Sequence, residues 1–496
     1  MMSINHLESI RSTIEFLKKH GKLLTIKEEV DSVYEIAGIQ KALDGSHALL
    51  FEKIKGYPGV RNIGNVFSSE EITALIFGVE QFKELKYKYL DSFKKPVPPR
   101  MVGKAPCQEI VITENINVAA TIPLITHSED DAAPILGSGL ILITSMPESN
   151  ASDMSFKRIH FRGKDWGVVQ ISAGSHLSHI KDVERKGEKI PLTININTPP
   201  VATLVASGGL VKAVVPHGSD ELSIAGAMQG SPMEICRAKT IDGYAIANSE
   251  FVIEGYITPE KCWETEAAEK AGKPGVAPLF PEWHGYLGKA MIGEKIEVTA
   301  ITYRKDNPIF YSPLADSYEA ENLTHPLAET ALYHLVHRMA PDILLDVNTP
   351  HAFKQVGGLV IQVKKNVSGD DDRVKDIIHT VMKESNRGLI VAVDEDIDIY
   401  SPDDVLWAIM TRGIAEDHIS RLPPGGSPGI EMNIPARAGG LVGIDTTLPF
   451  VAKKSFKRAH YPVDRIDLSR WFSESEISAA RTLQDEYARV LSRTGA

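Results

Sequence analysis

Near the start of the chain Leu7, Ile10, Ile14 and Leu17 recur at helical spacing with Glu8, Arg11 and Glu15 between them, which predicts an amphipathic helix. Gly21 ends it, and LLTIKEEV reads as a strand. A second helical stretch, Ile36 to Leu43, leads to LLFEKIKGYPG, a strand running into a glycine-proline turn. These elements predict a small α/β domain over residues 1–105, and the proline-rich segment from Leu90 to Pro106 reads as a linker. From Ile110 to Arg304 short β-type runs dominate: ILGSGLILIT, WGVVQISA, IPLTININ, ATLVAS, LVKAVVP, FVIEGYI and IEVTAITY. Gly, Pro, Asn and Asp turns divide them, and only ELSIAGAMQG looks helical. The pattern predicts a mixed or antiparallel sheet, such as a barrel, in a central domain of residues 106–315.

After Pro308 helix and strand alternate through LAETALYHLVHRMA, ILLDVN, LVIQVK, VKDIIHTVMKES, GLIVAVDEDIDI and PDDVLWAIMTR. That alternation predicts a doubly wound α/β domain over residues 316–470, followed by a helical tail, 471–496. The whole is a mixed α/β chain. At 496 residues it exceeds the usual span of one core, so two or three domains are expected.

The formal charge of -11 disfavours nucleic acid, whose phosphates want a basic face. Cys107, Cys236 and Cys262 show neither close spacing nor a metal-ligand pattern, so a reducing compartment is expected. The opening MMSINHLESI lacks the basic-then-apolar order of a secretory signal. No run approaches the roughly 18 to 20 apolar residues that span a bilayer. The expectation is a cytoplasmic protein without a membrane partner.

Two stretches could carry chemistry. Between Ser152 and Glu221, SDMSFKRIHFRGKDW offers Asp153, Ser155, Lys157 and Arg158; ISAGSHLSHI offers His176 and His179; and GSDELSIAGA offers Asp220 and Glu221. An Asp, a His and a Glu could complete an oxygen-and-nitrogen site for Mn2+ or Mg2+, although such residues more often face solvent. Arg158 could orient a carboxylate through its planar fork of donors, or simply be a solvated arginine. His160 and His179 read as supporting residues. In the second stretch, VAPLFPEWHGYLGKA, Glu282 lies between an apolar run and Trp283, His284 and Tyr286. A carboxyl held against aromatic groups should have a raised pKa, as a proton-exchanging acid requires, while the alternative is a packed turn. The acids of AVDEDIDIY could be a polar cap or a subunit contact, and Gly439–Gly440 could let backbone amides approach a phosphate.

Taken together, VDSVYEIAGI, LLFEKIKGYPG, YITPE, PEWHGYLGKA, VAVDEDIDIYSPDDVLWAIMTR and GIDTTLPF resemble, in order and spacing, the UbiD family of decarboxylases that depend on prenylated FMN. The branch most similar in look contains gallate and protocatechuate decarboxylases. The resemblance implies a small N-terminal domain, a central cofactor domain with a split β-barrel, and a C-terminal α/β domain supporting a homo-oligomer (dimer or hexamer). It places the family's metal ligands on Asp153, His176 and Glu221, with Asp153 where Asn is commonest. It implies cofactor contacts at Ser155, Phe156, Lys157, Arg158 and Ser175, and more loosely a K+ site near Ala206 and Ser207. Of the family's Glu-Arg-Glu set, Arg158 matches the arginine, Glu282 the acid, and Ala277 stands where the second glutamate usually is. A lysine usual before the last motif is Leu441 here, leaving Arg437, Lys453 or Lys454 as phosphate anchors. The implied reaction is reversible non-oxidative decarboxylation of an aromatic acid, hydroxybenzoate-type or heteroaromatic, with a flavin prenyltransferase supplying the cofactor. A metal-dependent hydrolase or aldolase, and a non-catalytic flavin-binding assembly factor, are the alternatives.

Overall fold

The computed structural model describes residues 5–143, 152–171, 175–208, 219–385, 387–413, 416–423, 440–459 and 461–493. Residues 1–447 form one compact unit and 448–496 another. In the first helix, Ile10–Lys19, Ser9 accepts from the Ser12 N–H in a capping box, and Ile10, Ile14 and Leu17 are buried. Leu7 joins the same core from the short turn before it. The strand Leu23–Val30 pairs parallel with Ala48–Ile54, which pairs antiparallel with Arg61–Gly64. A fourth strand, Ile309–Tyr311, lies parallel to Arg61–Gly64, so the chain returns to the N-terminal sheet after the central domain.

The centre is a closed antiparallel barrel. Its ring runs Phe251–Trp263, Ile190–Ile196, Leu136–Ile143, Asp153–Phe161, Trp166–Val169 and Ile292–Tyr303, and the last strand pairs back with the first. Ile141, Ile159, Val169, Ile194, Phe251, Ile253 and Ile296 belong to one buried cluster against these strands. At Gly255, where the register of the closing pair shifts, a Cβ would lie 2.0 Å from the Glu297 carbonyl oxygen, so only glycine permits the approach.

ATLVAS, expected as a strand, lies instead in the buried helix Pro200–Ala206. Pro199 and Pro200 set its entry, because proline at the first helical position is already in helical φ and its missing N–H costs nothing there. LVKAVVP lies outside the described residues. The segment expected as a linker from Leu90 begins as the end of a helix, Leu85–Lys94. The free thiols of Cys107 and Cys236, remote in sequence, lie 3.8 Å apart in the core.

The C-terminal sheet runs Leu344–Asn348, Gly358–Val363, Leu389–Asp394, Leu441–Asp445, Ile419–Leu422. Its three central strands are parallel, but both edge strands are antiparallel. At the first edge the reason is length: the link between Asn348 and Gly358 is too short for the dozen or more residues a parallel crossover needs. The helix Tyr318–Met339 starts before Leu327 and runs through Pro326. It buries Glu319, which accepts from the N–H groups of Asn65 and Phe67, and Glu329, which faces Lys86. No described helix is long and apolar enough to cross a membrane. The second unit contains the helix Glu474–Arg493.

Candidate active site

The barrel strand Asp153–Phe161 supplies both halves of the site. Alternation sends Arg158 and His160 to one side and Lys157 to the other. At its start, ligand atoms of Asp153, His176 and Glu221 lie within 4.8 Å of one another. His176 opens a short helix capped by Ser175, whose hydroxyl accepts from the Ser178 N–H. Glu221 opens the helix Glu221–Gln229 and accepts from the Met154 N–H, while its own N–H donates to the Ser152 carbonyl at 3.2 Å. Strand and helix are thereby tied at the point where their carboxylates converge.

This cluster fits a divalent cation. Asp153 Oδ2 is buried with no hydrogen-bond partner among the described residues. Burial, and then the charge of Asp153, push the Glu221 carboxyl well above its ordinary range. A buried carboxylate, a half-buried one and an imidazole are a donor set that a manganese or magnesium ion would satisfy. Lys157 lies close enough to feel both acids, and burial lowers its pKa against their pull.

Farther along the strand Arg158 is clamped. Its Nε and Nη2 donate to the two oxygens of Glu264 at 3.1 and 3.2 Å. Nη1 donates to Glu282 Oε1, and Nη2 also donates to Gln170 Oε1. Burial opposes the guanidinium charge, but Glu264 and Glu282 outweigh it and hold the arginine above its ordinary value. Glu264 is fully buried and accepts the Met291 N–H at 2.7 Å. The ring of Phe280 lies 5.9 Å from the guanidinium carbon.

Glu282 stands on the turn between the strands Pro278–Pro281 and Leu287–Lys289. Its N–H donates to the Tyr286 carbonyl at 3.0 Å, and its carbonyl accepts from Gly285, a residue in the left-handed region at φ 82. A Cβ on Gly288 would lie 2.6 Å from Glu282 Cγ, so the glycine makes room for the acid. The aromatic surroundings expected from sequence are only partly present. Tyr286 is exposed, and the carboxyl meets a guanidinium.

The structure thus brings together Asp153, His176 and Glu221 at one place and Arg158 and Glu282 at another. Ser155 lies on the same strand, its hydroxyl buried and without a partner among the described residues. Phe156 packs on the neighbouring core. Ser207 Oγ is within hydrogen-bond distance of the Leu204 and Leu323 carbonyls, and Ala206 is buried at the end of its helix. Arg437 and Gly439 lie outside the described residues. Lys453 and Lys454 are in the second compact unit, and Leu441 is a buried member of the C-terminal core. His179 approaches Glu184 at 3.5 Å. His160 is buried, and burial followed by the Arg158 charge lowers its pKa to about 3. Asp394 and Asp396 of AVDEDIDIY pair with Arg412.

Sequence reasoning missed Glu264 and Gln170. Ala277, where a second glutamate was looked for, packs with Leu279, Phe280 and Ala290. The second carboxylate on Arg158 comes instead from Glu264, just beyond the end of Phe251–Trp263. Its one local signal is position: Thr265 caps the following helix, so Glu264 is held at a fixed strand-to-helix corner.

Three family models match the chain in order: the 3-octaprenyl-4-hydroxybenzoate carboxy-lyase N-terminal domain at residues 14–88, its Rift-related domain at 100–316 and its C-terminal domain at 321–445. The chain belongs to the UbiD family. It is a prenylated-FMN-dependent carboxy-lyase. Gallate decarboxylase of Lactiplantibacillus plantarum is 27% identical to this UbiD chain over 458 residues, 87% of this chain and 91% of that protein. The UbiD-class enzyme HmfF of Pelotomaculum thermopropionicum, solved with prFMN, matches with a TM-score of 0.79 and 28% identity over 94% of this chain and all of that one. The apo 3,4-dihydroxybenzoic acid decarboxylase of Enterobacter cloacae matches with a TM-score of 0.80 and 27% identity, covering 95% and 99%.

Proposed function

We propose that the protein releases carbon dioxide from an aromatic acid of the hydroxybenzoate type, and that Glu282 delivers the proton that replaces it. The observation that carries this is the Arg158 clamp: a guanidinium fixed on two oxygens by Glu264 presents its remaining nitrogen to Glu282. When bound, prenylated FMN supplies the electron sink for breaking the carbon–carbon bond. Asp153, His176 and Glu221 would hold a divalent metal, Mn2+ or Mg2+, and Ser155, Phe156, Lys157 and Ser175 would contact the cofactor. Arg158 positions Glu282 and has few donors left for substrate, since Nε and Nη2 are taken by Glu264 and Gln170. Held by Glu264 on one side, Arg158 keeps the Glu282 carboxylate in one orientation.

The names of the relatives support the substrate class, as they include a gallate decarboxylase and a phenolic acid decarboxylase of Sedimentibacter hydroxybenzoicus. By microscopic reversibility the same groups carboxylate the product at high carbon dioxide. The working form is a cytoplasmic homo-oligomer loaded by a flavin prenyltransferase. The test is to co-express the chain with such a prenyltransferase and measure carbon dioxide release from gallate-like, 4-hydroxybenzoate-like and heteroaromatic acids. Release from the hydroxylated benzoates is the expected result. A loaded protein that turns over none of them overturns the proposal.

A further inference from the structure

Two residues beyond Glu282, His284 carries a hydrogen-bond donor that no described residue uses. Its Nδ1 lies 3.1 Å from the Tyr286 N–H and accepts from it. A neutral imidazole has one donor and one acceptor nitrogen, so the proton is on Nε2. Burial favours the neutral ring, against the pull of Glu282 and Asp316. Nε2 is itself buried, and no described residue accepts from it. The direction of the ring is set by three contacts with two neighbours. Trp283 meets it edge-on at 5.1 Å, Tyr286 lies at 5.8 Å, and the Tyr286 N–H pins Nδ1. The turn itself is fixed by the Glu282–Tyr286 and Gly285–Glu282 backbone hydrogen bonds. A donor so constrained, buried and unpartnered is arranged for an acceptor that arrives with a ligand.

We infer that His284 Nε2–H donates to an oxygen substituent on the substrate ring and selects phenolic acids over unsubstituted ones. This rests on Glu282 being the acid of an aromatic-acid decarboxylase. Glu282 has to reach the carbon that loses carbon dioxide, so a donor anchored on the same short turn reaches another atom of the same ring. The ring oxygen is an acceptor present in substrate and product alike. A site built for such an oxygen rejects the analogue lacking it, by as much as ~10⁴-fold, because the donor is then buried unpaired.

Two substitutions separate this role from a structural one. His284→Asn keeps an acceptor for the Tyr286 N–H and removes the Nε2 donor. His284→Gln places an amide N–H near the Nε2 position. With holoenzyme, the binding of 4-hydroxybenzoate and of benzoate is measured as competitive inhibition of gallate turnover. In the wild type the hydroxylated acid should bind at least about tenfold more tightly. His284→Asn should lose about that factor for 4-hydroxybenzoate and stay within about twofold for benzoate, and His284→Gln should recover most of it. Equal losses on both acids, or none, overturn the inference while the decarboxylase reading stands. Absence of turnover of every hydroxylated benzoate by the loaded wild type overturns both. Should His284→Asn not fold, 15N spectra of the wild-type ring decide: an Nε2–H tautomer whose signal moves with catechol but not with benzoate supports the inference, and an Nδ1–H tautomer overturns it.

Discussion

At Arg158 the donors outnumber any single partner, and the distribution among Glu264, Gln170 and Glu282 decides what the arginine can do. The two-oxygen grip of Glu264 fixes the plane of the guanidinium, which in turn fixes Glu282. Glu264→Gln removes that charge and one good acceptor, so kcat should fall about 10- to 100-fold, since small misplacements of reacting groups cost that much. Steady-state kinetics with KM little changed would separate this positioning effect from lost binding. Arg158 and Glu282 were legible in the sequence because each sits in a continuous motif. Glu264 was not, because its partnership with Arg158 spans 106 residues and exists only once the barrel closes.

His160, on the same side of the strand, makes a pH prediction. Its folded pKa of about 3 is below the unfolded value of 6.5, so its contribution is fully present above pH 6.5. It is lost as pH falls from there toward 3, because the unfolded chain takes up a proton the native one refuses. Between pH 7 and pH 5 this amounts to about 2 kcal/mol at ~1.4 kcal/mol per pH unit. His325 and His351, also lowered by burial, add to the loss in both proteins, so urea denaturation at the two pH values should show a loss smaller by about that amount in His160→Phe than in the wild type.

At the scale of elements, the hairpin bearing Glu282 depends on a glycine opposite the acid. A methyl group at Gly288 would lie 2.6 Å from Glu282 Cγ, and the flexible side chain, not the backbone, would give way. Gly288→Ala should therefore cost activity, about 10- to 100-fold, through loss of the Arg158–Glu282 contact. Its thermal midpoint should move little, and kinetics beside a melting curve on the same sample check both. Elements were legible where one face is periodic, as in Ile10–Lys19. ATLVAS was not, because a helix buried on all sides has no polar face to give it a period, and its β-branched residues resemble a strand. The antiparallel edge at Leu344–Asn348 was equally hidden, since alternation of helix and strand does not reveal direction.

For the whole molecule, the Asp153, His176 and Glu221 cluster joins a barrel strand to two segments 23 and 68 residues away, taking 176 - 153 and 221 - 153. An ion held there cross-links the central domain. Mn2+ should raise the stability of the chain by about 2.7 kcal/mol at a hundred times its Kd, and a chelator should reverse this. Asp153→Ala should abolish the shift, as read by calorimetric titration and melting. The three-part order of the chain was visible in changes of texture near residues 105 and 308. The return of Ile309–Tyr311 to the N-terminal sheet was not, because three residues carry too little pattern to name a distant partner.

The most direct test compares wild-type and Glu282→Gln holoenzyme, both loaded with cofactor and metal, for carbon dioxide release from a hydroxylated benzoate in D2O. The wild type should turn over and place one deuterium on the carbon that carried the carboxylate, while Glu282→Gln should be slower by about 10²- to 10⁴-fold, the usual contribution of a positioned acid. Undiminished turnover by Glu282→Gln, with the same deuterium in its product, would contradict the assignment of Glu282 as the proton donor.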